Sequence, residues 1–245
     1  MPTYREQGIV LRTVKLGETD RILHLYTQGR GLVRAVAKGV RRPGSRFGGR
    51  LEPYSHVEML LYQGRNLDVI QQAELLAPHA NVRSDYALSA AGAVIAELVD
   101  TVATEGERDN RLFLLLRAGL QALDAQPPDP AVFVDAFLLR VAGAVGFHVF
   151  TERCSACRAE GPHAFLSVVR GGTLCADCAP AGTKAVAPEV IDLVNLLASD
   201  RWSDLAQVVD SPARQVAASY ARAFAEHHLD RRLRSYEFVP RDRIA

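Results

Sequence analysis

The sequence lacks any run of about 18 apolar residues, the length that a helix needs to cross a bilayer. Its first residues, MPTYREQG, also lack the basic segment followed by an apolar one that marks a secretory signal. The chain has 245 residues and is 48% hydrophobic, which is enough for a substantial core and for more than one domain. We therefore expect a cytoplasmic protein with more than one domain.

The motifs of several large enzyme classes are missing as well. The sequence has no GxxxxGK[ST] loop for binding nucleotide phosphates, and no GxGxxG, GxSxG or HExxH motif. It also has no cluster of carboxylates with the spacing of a metal-dependent nuclease. These absences favour a binding protein over an enzyme.

Acidic residues are absent between Asp20 and Glu52, although the formal net charge of the whole chain is only +1. Residues 1–80 contain 12 Lys or Arg and seven Asp or Glu, whereas the remaining residues contain 17 and 21. Most of the unbalanced charge lies in the glycine-rich segment 34–50, RAVAKGVRRPGSRFGGR, which we expect to be a mobile loop. Such a cluster predicts a surface that binds nucleic acid. The candidate contacts are seven cations and one aromatic residue for base stacking: Arg30, Arg34, Lys38, Arg41, Arg42, Arg46, Arg50 and Phe47.

The first 76 residues alternate polar and apolar side chains, with many β-branched residues, as half-buried strands do. This pattern predicts five strands, which are joined by short turns and by the one long basic loop. Five strands in this arrangement fit an OB-type barrel, which binds oligonucleotides, and they fit an SH3-like barrel nearly as well. The predicted strands cover residues 4–14, 21–27, 31–39, 51–63 and 67–76.

From Ser84 onward the apolar residues recur at helical spacing. Ser84 is a plausible N-cap for the first helix, and Ser211 with Pro212 begins the last one. The run LFLLL is apolar enough to predict a fully buried stretch of helix. The predicted helices cover residues 84–103, 109–125, 130–147, 188–198 and 211–236.

All four cysteines of the chain lie in two CxxC pairs, CSAC and CADC, which are separated by 17 residues. Two such pairs can place four thiolates tetrahedrally around Zn²⁺, and the spacing suits a small ribbon. Disulfides and metal-free thiols are the alternatives, and the cytoplasmic expectation disfavours disulfides. We predict one structural zinc ion held by Cys154, Cys157, Cys175 and Cys178.

Several segments of the chain resemble the RecO family of bacterial recombination mediators. The residues that carry the resemblance are GIVLR, KLGETDRIL, TQGRGLVRAVAKGVRR and SRFGGRLEPYSHVEMLLYQGRNLDVIQQAEL, followed by the two CxxC pairs. The resemblance implies an α+β multidomain protein with an OB-like barrel, a helical domain and an inserted zinc ribbon. The expected domains are residues 1–78 for the barrel, 79–150 and 184–245 for the two parts of the helical domain, and 151–183 for the ribbon.

The same resemblance implies binding of single- and double-stranded DNA and annealing of complementary strands. It also implies RecR and the acidic tail of the single-strand-binding protein (SSB) as partners, with RecA served indirectly. A receptor for that tail needs an apolar groove with a cation at its rim, which the helices near 130–147 and 212–235 could provide. The candidate rim cations are Arg140, Arg222, Arg231, Arg232 and Arg234.

Two other functions fit the same charge pattern. A zinc-ribbon scaffold could use the basic loop to bind an acidic protein, and an RNA-binding barrel would carry the same cations. Retention on oligonucleotides that depends on salt would exclude the scaffold. Competition between DNA and RNA of one sequence would separate the two nucleic acids.

Overall fold

The computed structural model describes residues 2–241. The chain forms two compact units, Met1–Gln126 and Pro127–Ala245. The first unit contains a barrel and three helices, and the second contains three more helices and a small two-stranded sheet. The predicted domain boundaries, which place the start of the helical domain at residue 79, stay a prediction.

Five strands close into a barrel in the order β1-β2-β3-β5-β4. Neighbouring strands are antiparallel except β3 and β5, which are parallel. The long strand β1 pairs with both β4 and β2, and its register shifts between Val10 and Arg12 where the strand bends from one partner to the other. This is the OB arrangement, which replaces the SH3-like alternative. The strands are β1 (Thr3–Leu16), β2 (Asp20–Thr27), β3 (Gly31–Ala37), β4 (His56–Tyr62) and β5 (Asp68–Ala77).

The predicted fourth strand, over residues 51–63, begins late in the structure. Residues 51–55 form turns instead, and Tyr54 adopts a left-handed backbone conformation with φ 70°. The side chain of Leu51 packs in the barrel core and that of Tyr54 is also buried. An apolar sequence therefore predicted burial correctly here, but it did not distinguish a strand from buried turns.

Three helices complete the first unit: α1 (Ala80–Ser84), α2 (Tyr86–Val102) and α3 (Asn110–Asp124). Asp85, and not the predicted Ser84, caps α2, because its side chain accepts a hydrogen bond from the backbone N–H of Leu88. The prediction that the LFLLL run is fully buried is wrong, since the side chain of Leu114 is 40% exposed on the outer face of α3.

The second unit is built around α4 (Pro130–Ala144), which is buried on nearly every side because α5 (Pro188–Ala198) and α6 (Pro212–His228) both pack on it. Ser211 caps α6 as predicted, with Pro212 at the first helical position. The helix ends earlier than predicted, and Asp230 just beyond it has a left-handed backbone. The small sheet pairs β6 (Phe165–Ser167) with β7 (Gly172–Leu174). Within the described residues, no helix is both long and apolar enough to span a membrane.

Candidate nucleic-acid interface and metal centre

The basic loop between β3 and β4 is fixed to the barrel at several points. The backbone N–H of Gly39 donates to the carboxylate of Asp20 at 2.8 Å. This hydrogen bond, with one from the Thr19 hydroxyl, holds the pKa of Asp20 below its usual range. Further along, successive backbone hydrogen bonds close a series of turns, and the side chains of Phe47 and Leu51 enter the barrel core. The loop is therefore anchored, which corrects the expectation of a mobile segment.

The loop and the strand before it display all seven predicted cations to solvent. Arg41 donates to the backbone carbonyl of Glu18 at 2.9 Å, and Arg50 donates to that of Arg46 at 2.8 Å. These bonds orient the guanidinium groups without neutralising them. Among residues 2–241, the only one of the seven in an ion pair is Arg34, which meets the exposed carboxylate of Glu105 at 3.3 Å. The loop thus presents several uncompensated positive charges.

Phe47 does not lie where a base-stacking residue must lie. Its ring is only 1% exposed and belongs to the apolar core of the barrel. The guanidinium group of Arg46 covers the ring at 4.8 Å from its centroid. The glycines around Phe47 suggested an unpacked position, but they instead permit the tight turns that direct the ring inward, since Gly48 has φ 52°. Phe47 is therefore a core anchor of the loop.

A second group of cations lies at the other end of β3. Arg30, Arg34 and Arg65 line a cleft of about 250 Å³ on the surface of the barrel. Arg30 stacks over the ring of Tyr4 at 4.0 Å, and the hydroxyl of Tyr4 donates to Asp68. Burial raises the pKa of Tyr4, so its hydroxyl stays protonated near neutral pH. Sequence reasoning missed Arg65 because it is isolated in the turn between β4 and β5, and only the fold brings it beside Arg34.

Lys38 and Arg30 flank the two ends of β3, so roughly 26 Å of extended strand separates the basic loop from the cleft. The first unit therefore carries positive charge over a length that covers several nucleotides of a DNA strand. Positive charges that are distributed along the barrel in this way are suited to many weak phosphate contacts rather than to binding in one pocket.

The four cysteine sulfur atoms lie within 4.8 Å of one another. The Sγ atoms of Cys157 and Cys175 are 3.7 Å apart. Four sulfurs at about 2.3 Å from a tetrahedral zinc ion would be separated by about 3.8 Å, so the spacing fits the ion. The two CxxC pairs are therefore arranged as a candidate metal centre, as the sequence predicted.

The backbone around the cysteines also favours thiolates. The backbone N–H groups of Cys157 and Cys175 donate toward the sulfur of Cys154 and lower its pKa to about 5. Hydrogen bonds that the Cys178 thiol donates to the neighbouring sulfur atoms, first of all to that of Cys175, raise the pKa of Cys178 to about 12. Four thiols this close together do not all deprotonate readily, because the thiolates would repel one another. A bound divalent cation would offset that repulsion.

The small ribbon provides little other stabilisation. Its two strands have only three residues each. The backbone approaches itself closely at Gly172, where an added Cβ would lie 1.9 Å from the carbonyl oxygen of Phe150. His163 directs its ring nitrogen to the carbonyl of Ala159 at 2.9 Å and so does not contribute to the sulfur cluster. The four cysteines are the ligand set that the ribbon offers.

The second unit contains a cavity of about 420 Å³ beside α6, with Arg214, Arg222 and Arg241 in its lining. Arg214 is 7% exposed, and its Nε–H has no hydrogen-bond partner among the described residues. Arg140 lies apart from this cavity. It is buried, donates to the carbonyl of Leu197 at 3.0 Å and stacks on Trp202, which corrects its prediction as a rim cation. Burial also lowers the pKa of Arg140 to about 10.

The other four predicted rim cations line two neighbouring sites, and Glu237 contacts both Arg222 and Arg232. Arg222 lines the cavity, where it also contacts Glu226 and Glu237. Arg231, Arg232 and Arg234 line a different, open depression near the end of the described chain. The structure therefore does not bring the five predicted residues together.

Comparison with known proteins gives matches along nearly the whole chain. Residues 1–79 match the family model described as Recombination protein O N terminal, and residues 83–237 match Recombination protein O C terminal. Three similar proteins carry the name DNA repair protein RecO. The one from Frankia casuarinae is 42% identical over 98% of this chain and 100% of its own. Those from a Nocardioides species and from Thermobifida fusca are 44% and 39% identical, over 97% and 98% of this chain and 99% and 100% of their own.

Proposed function

The chain belongs to the RecO family of DNA repair proteins, and from this premise we propose that it binds single- and double-stranded DNA. The protein anneals complementary strands and, together with RecR, helps RecA to load onto DNA that SSB covers. It performs this mediator role without catalysing a reaction of its own, in the cytoplasm and in association with the nucleoid.

The observation that carries the proposal is the display of the basic loop. Arg41, Arg42 and Arg46 are exposed on turns that are anchored through the barrel core. Guanidinium groups on such turns contact phosphate oxygens and release condensed counterions without reading base edges. A mediator that acts on any damaged sequence needs this kind of binding. The proposed DNA contacts are Arg30, Arg34, Lys38, Arg41, Arg42, Arg46 and Arg50, with Arg65 added from the structure.

The test of this proposal is the simultaneous replacement of Arg41, Arg42 and Arg46 by Glu. The affinity for single strands should fall for every sequence alike, because phosphate contacts are lost. If the wild-type protein makes about six such contacts, the log–log dependence of its affinity on salt has a slope near −4, and the variant should show about half of that slope. The free energy of unfolding should change by only a few tenths of a kcal/mol for each exposed residue.

A control with the same change in net charge replaces Arg153, Arg170 and Arg201 by Glu, since these are also exposed, although Arg153 pairs with Glu160 and Arg201 with Asp204. The control should keep the wild-type slope. Should the loop variant fold normally and bind oligonucleotides with unchanged affinity and slope, the loop would serve an acidic protein and the scaffold function would replace this one. Equal competition by RNA of the same sequence would instead favour the RNA-binding barrel.

Zinc is the metal that we assign to Cys154, Cys157, Cys175 and Cys178. The support is the donor set of four thiols, the 3.7 Å sulfur separation and the backbone N–H groups directed at Cys154. The ion would supply a covalent-strength cross-link between the two halves of the ribbon. With four protein ligands it has no open position for a substrate, so its role is structural.

The partners RecR and the SSB tail rest on family membership. For the tail, the cavity lined by Arg214, Arg222 and Arg241 supports a place for a terminal carboxylate, although Arg214 also pairs with Asp129 at 2.8 Å in that lining. Arg222→Glu should weaken binding of a labelled tail peptide to the full chain. The domain division proposed from the sequence, with the ribbon inserted between two helical parts, is kept as part of this model.

A further inference from the structure

Phe238 is a large aromatic residue that the second unit holds in solvent. Its side chain is 64% exposed, although the residues on both sides of it are fixed. Tyr236 is buried and donates to the carboxylate of Asp135 at 3.0 Å, and Val239 is buried just after it. Because the backbone is anchored at both positions, the ring of Phe238 is displayed by the fold and not by a loose end of the chain.

Three arginines share a depression with this ring. Arg231, Arg232 and Arg234 line the same open depression, of about 740 Å³, together with Glu237 and Phe238. Among the described residues of that lining the only carboxylate is that of Glu237, which meets Arg222 at 2.6 Å and Arg232 at 3.8 Å. The side chain of Arg232 is 80% exposed. The depression is therefore positively charged around one flat apolar ring.

An exposed aromatic ring among arginines is the arrangement by which proteins hold single strands, with a base on the ring and phosphates on the cations. An acidic peptide that ends in apolar residues needs a recess for its side chains, whereas this depression is open and Phe238 is the one apolar residue in its described lining. We propose that Phe238, with Arg231, Arg232 and Arg234, forms a stacking site for single-stranded DNA in the second unit. This inference rests on the proposed DNA-binding function and adds a contact that is separate from the basic loop.

The experiment compares Phe238→Ala with Phe238→Trp in the full-length protein, using a single-stranded oligonucleotide that carries a fluorescent base and a blunt duplex. Removal of the ring should weaken single-strand affinity by at least about fivefold, because stacking on an aromatic residue contributes that much for one base. Duplex affinity should stay unchanged, since paired bases are already stacked inside the helix. Phe238→Trp should restore the affinity and the change in base fluorescence.

Tyr86→Ala is the matched control, because Tyr86 is 69% exposed in the first unit and has no part in this site. It should bind both DNAs like the wild type. The inference is overturned if Phe238→Ala binds single strands normally, if it loses single-strand and duplex affinity equally, or if it loses only the binding of an acidic tail peptide. The Arg41, Arg42 and Arg46 variant separates the two proposals. If the loop variant loses DNA affinity and Phe238→Ala does not, the proposed stacking site is rejected and the proposed DNA binding by the loop stands. If Phe238→Ala loses single-strand affinity and the loop variant does not, the loop is rejected as a DNA contact and the stacking site stands.

Discussion

At the scale of single residues, the ring of Phe47 connects the charge of the basic loop to the stability of the barrel. It packs in the barrel core and carries Arg46 across its outer face. The position of this arginine therefore depends on a neighbour that never needs to contact DNA. Folding and the proposed DNA binding are linked here through packing.

We predict that Phe47→Ala destabilises the protein by about 3–5 kcal/mol, because it leaves a cavity in a packed core. Phe47→Leu keeps most of the apolar volume and should cost much less. Unfolding in urea, followed by circular dichroism, gives both values. If Phe47→Ala unfolds like the wild type and yet loses single-strand affinity, the ring stacks on bases after all.

The residue scale also shows what a sequence can predict. The six cations of the basic segment, and Arg30 just before it, are exposed as expected, because a charged side chain without a partner is costly to bury. The burial of Phe47 and the exposure of Phe238 were not predictable in this way. An apolar ring is stable in the core and tolerable on the surface, so only the positions of its neighbours decide between the two.

At the scale of elements, the ribbon is the part of the chain with the least support from its own packing. Its strands β6 and β7 have three residues each, and the segment between Phe150 and Ala187 has few buried apolar side chains. Two such strands alone are at best marginally stable in water. The four-cysteine centre is the feature that can compensate for this.

We predict that Cys175→Ser releases the metal and unfolds the ribbon while DNA affinity changes little. Structural zinc supplies folding free energy directly, so chelation of the wild-type protein should have the same effect. Zinc content by elemental analysis and cleavage of residues 151–183 by a protease are the measurements. Asp177→Ser is the control, because Asp177 is exposed within the second CxxC pair but offers no sulfur. A variant without metal that resists protease and melts normally would show that the ribbon does not need the ion.

Element types were easier to predict than element ends. Alternation and helical spacing identified all five barrel strands and the five longer helices, since each has one face that must be buried. The short helix α1 was missed, and the cap of α2 was placed one residue early at Ser84, because neighbouring Ser and Asp are nearly equivalent as caps. The cysteine spacing alone predicted the candidate metal centre, because the ligands are defined by chemistry more than by packing.

At the scale of the whole molecule, the chain changes from strands to helices after residue 79, but this change in secondary structure is not where its two compact units divide. The compact units separate at Gln126, so the first unit contains helices α1–α3 as well as the barrel. Tyr26 in β2 donates to the carbonyl of Asp109, and His56 in β4 contacts the ring of Phe113, which shows how closely these helices pack on the barrel. Periodicity reports which face of an element is buried but not which element covers it.

The proposed annealing activity belongs to the scale of the whole molecule, because two polyanionic strands must be held near each other. Each strand that binds releases its own counterions. When the strands are far from saturating the protein, the rate of annealing is proportional to the product of two bound fractions, one for each of the complementary strands. Its dependence on salt should therefore be steeper than the dependence of binding one strand.

We predict that the logarithm of the annealing rate falls with the logarithm of salt concentration with a slope near −8, about twice the slope of about −4 for binding one strand through about six contacts. Replacement of Arg41, Arg42 and Arg46 by Glu should reduce both slopes by about half, because phosphate contacts are lost for each strand. Stopped-flow mixing of two complementary labelled oligonucleotides with the protein measures the rate, and titration of one oligonucleotide measures binding. Equal slopes for annealing and binding would contradict the model, because they would mean that the protein holds only one strand while the second arrives from solution.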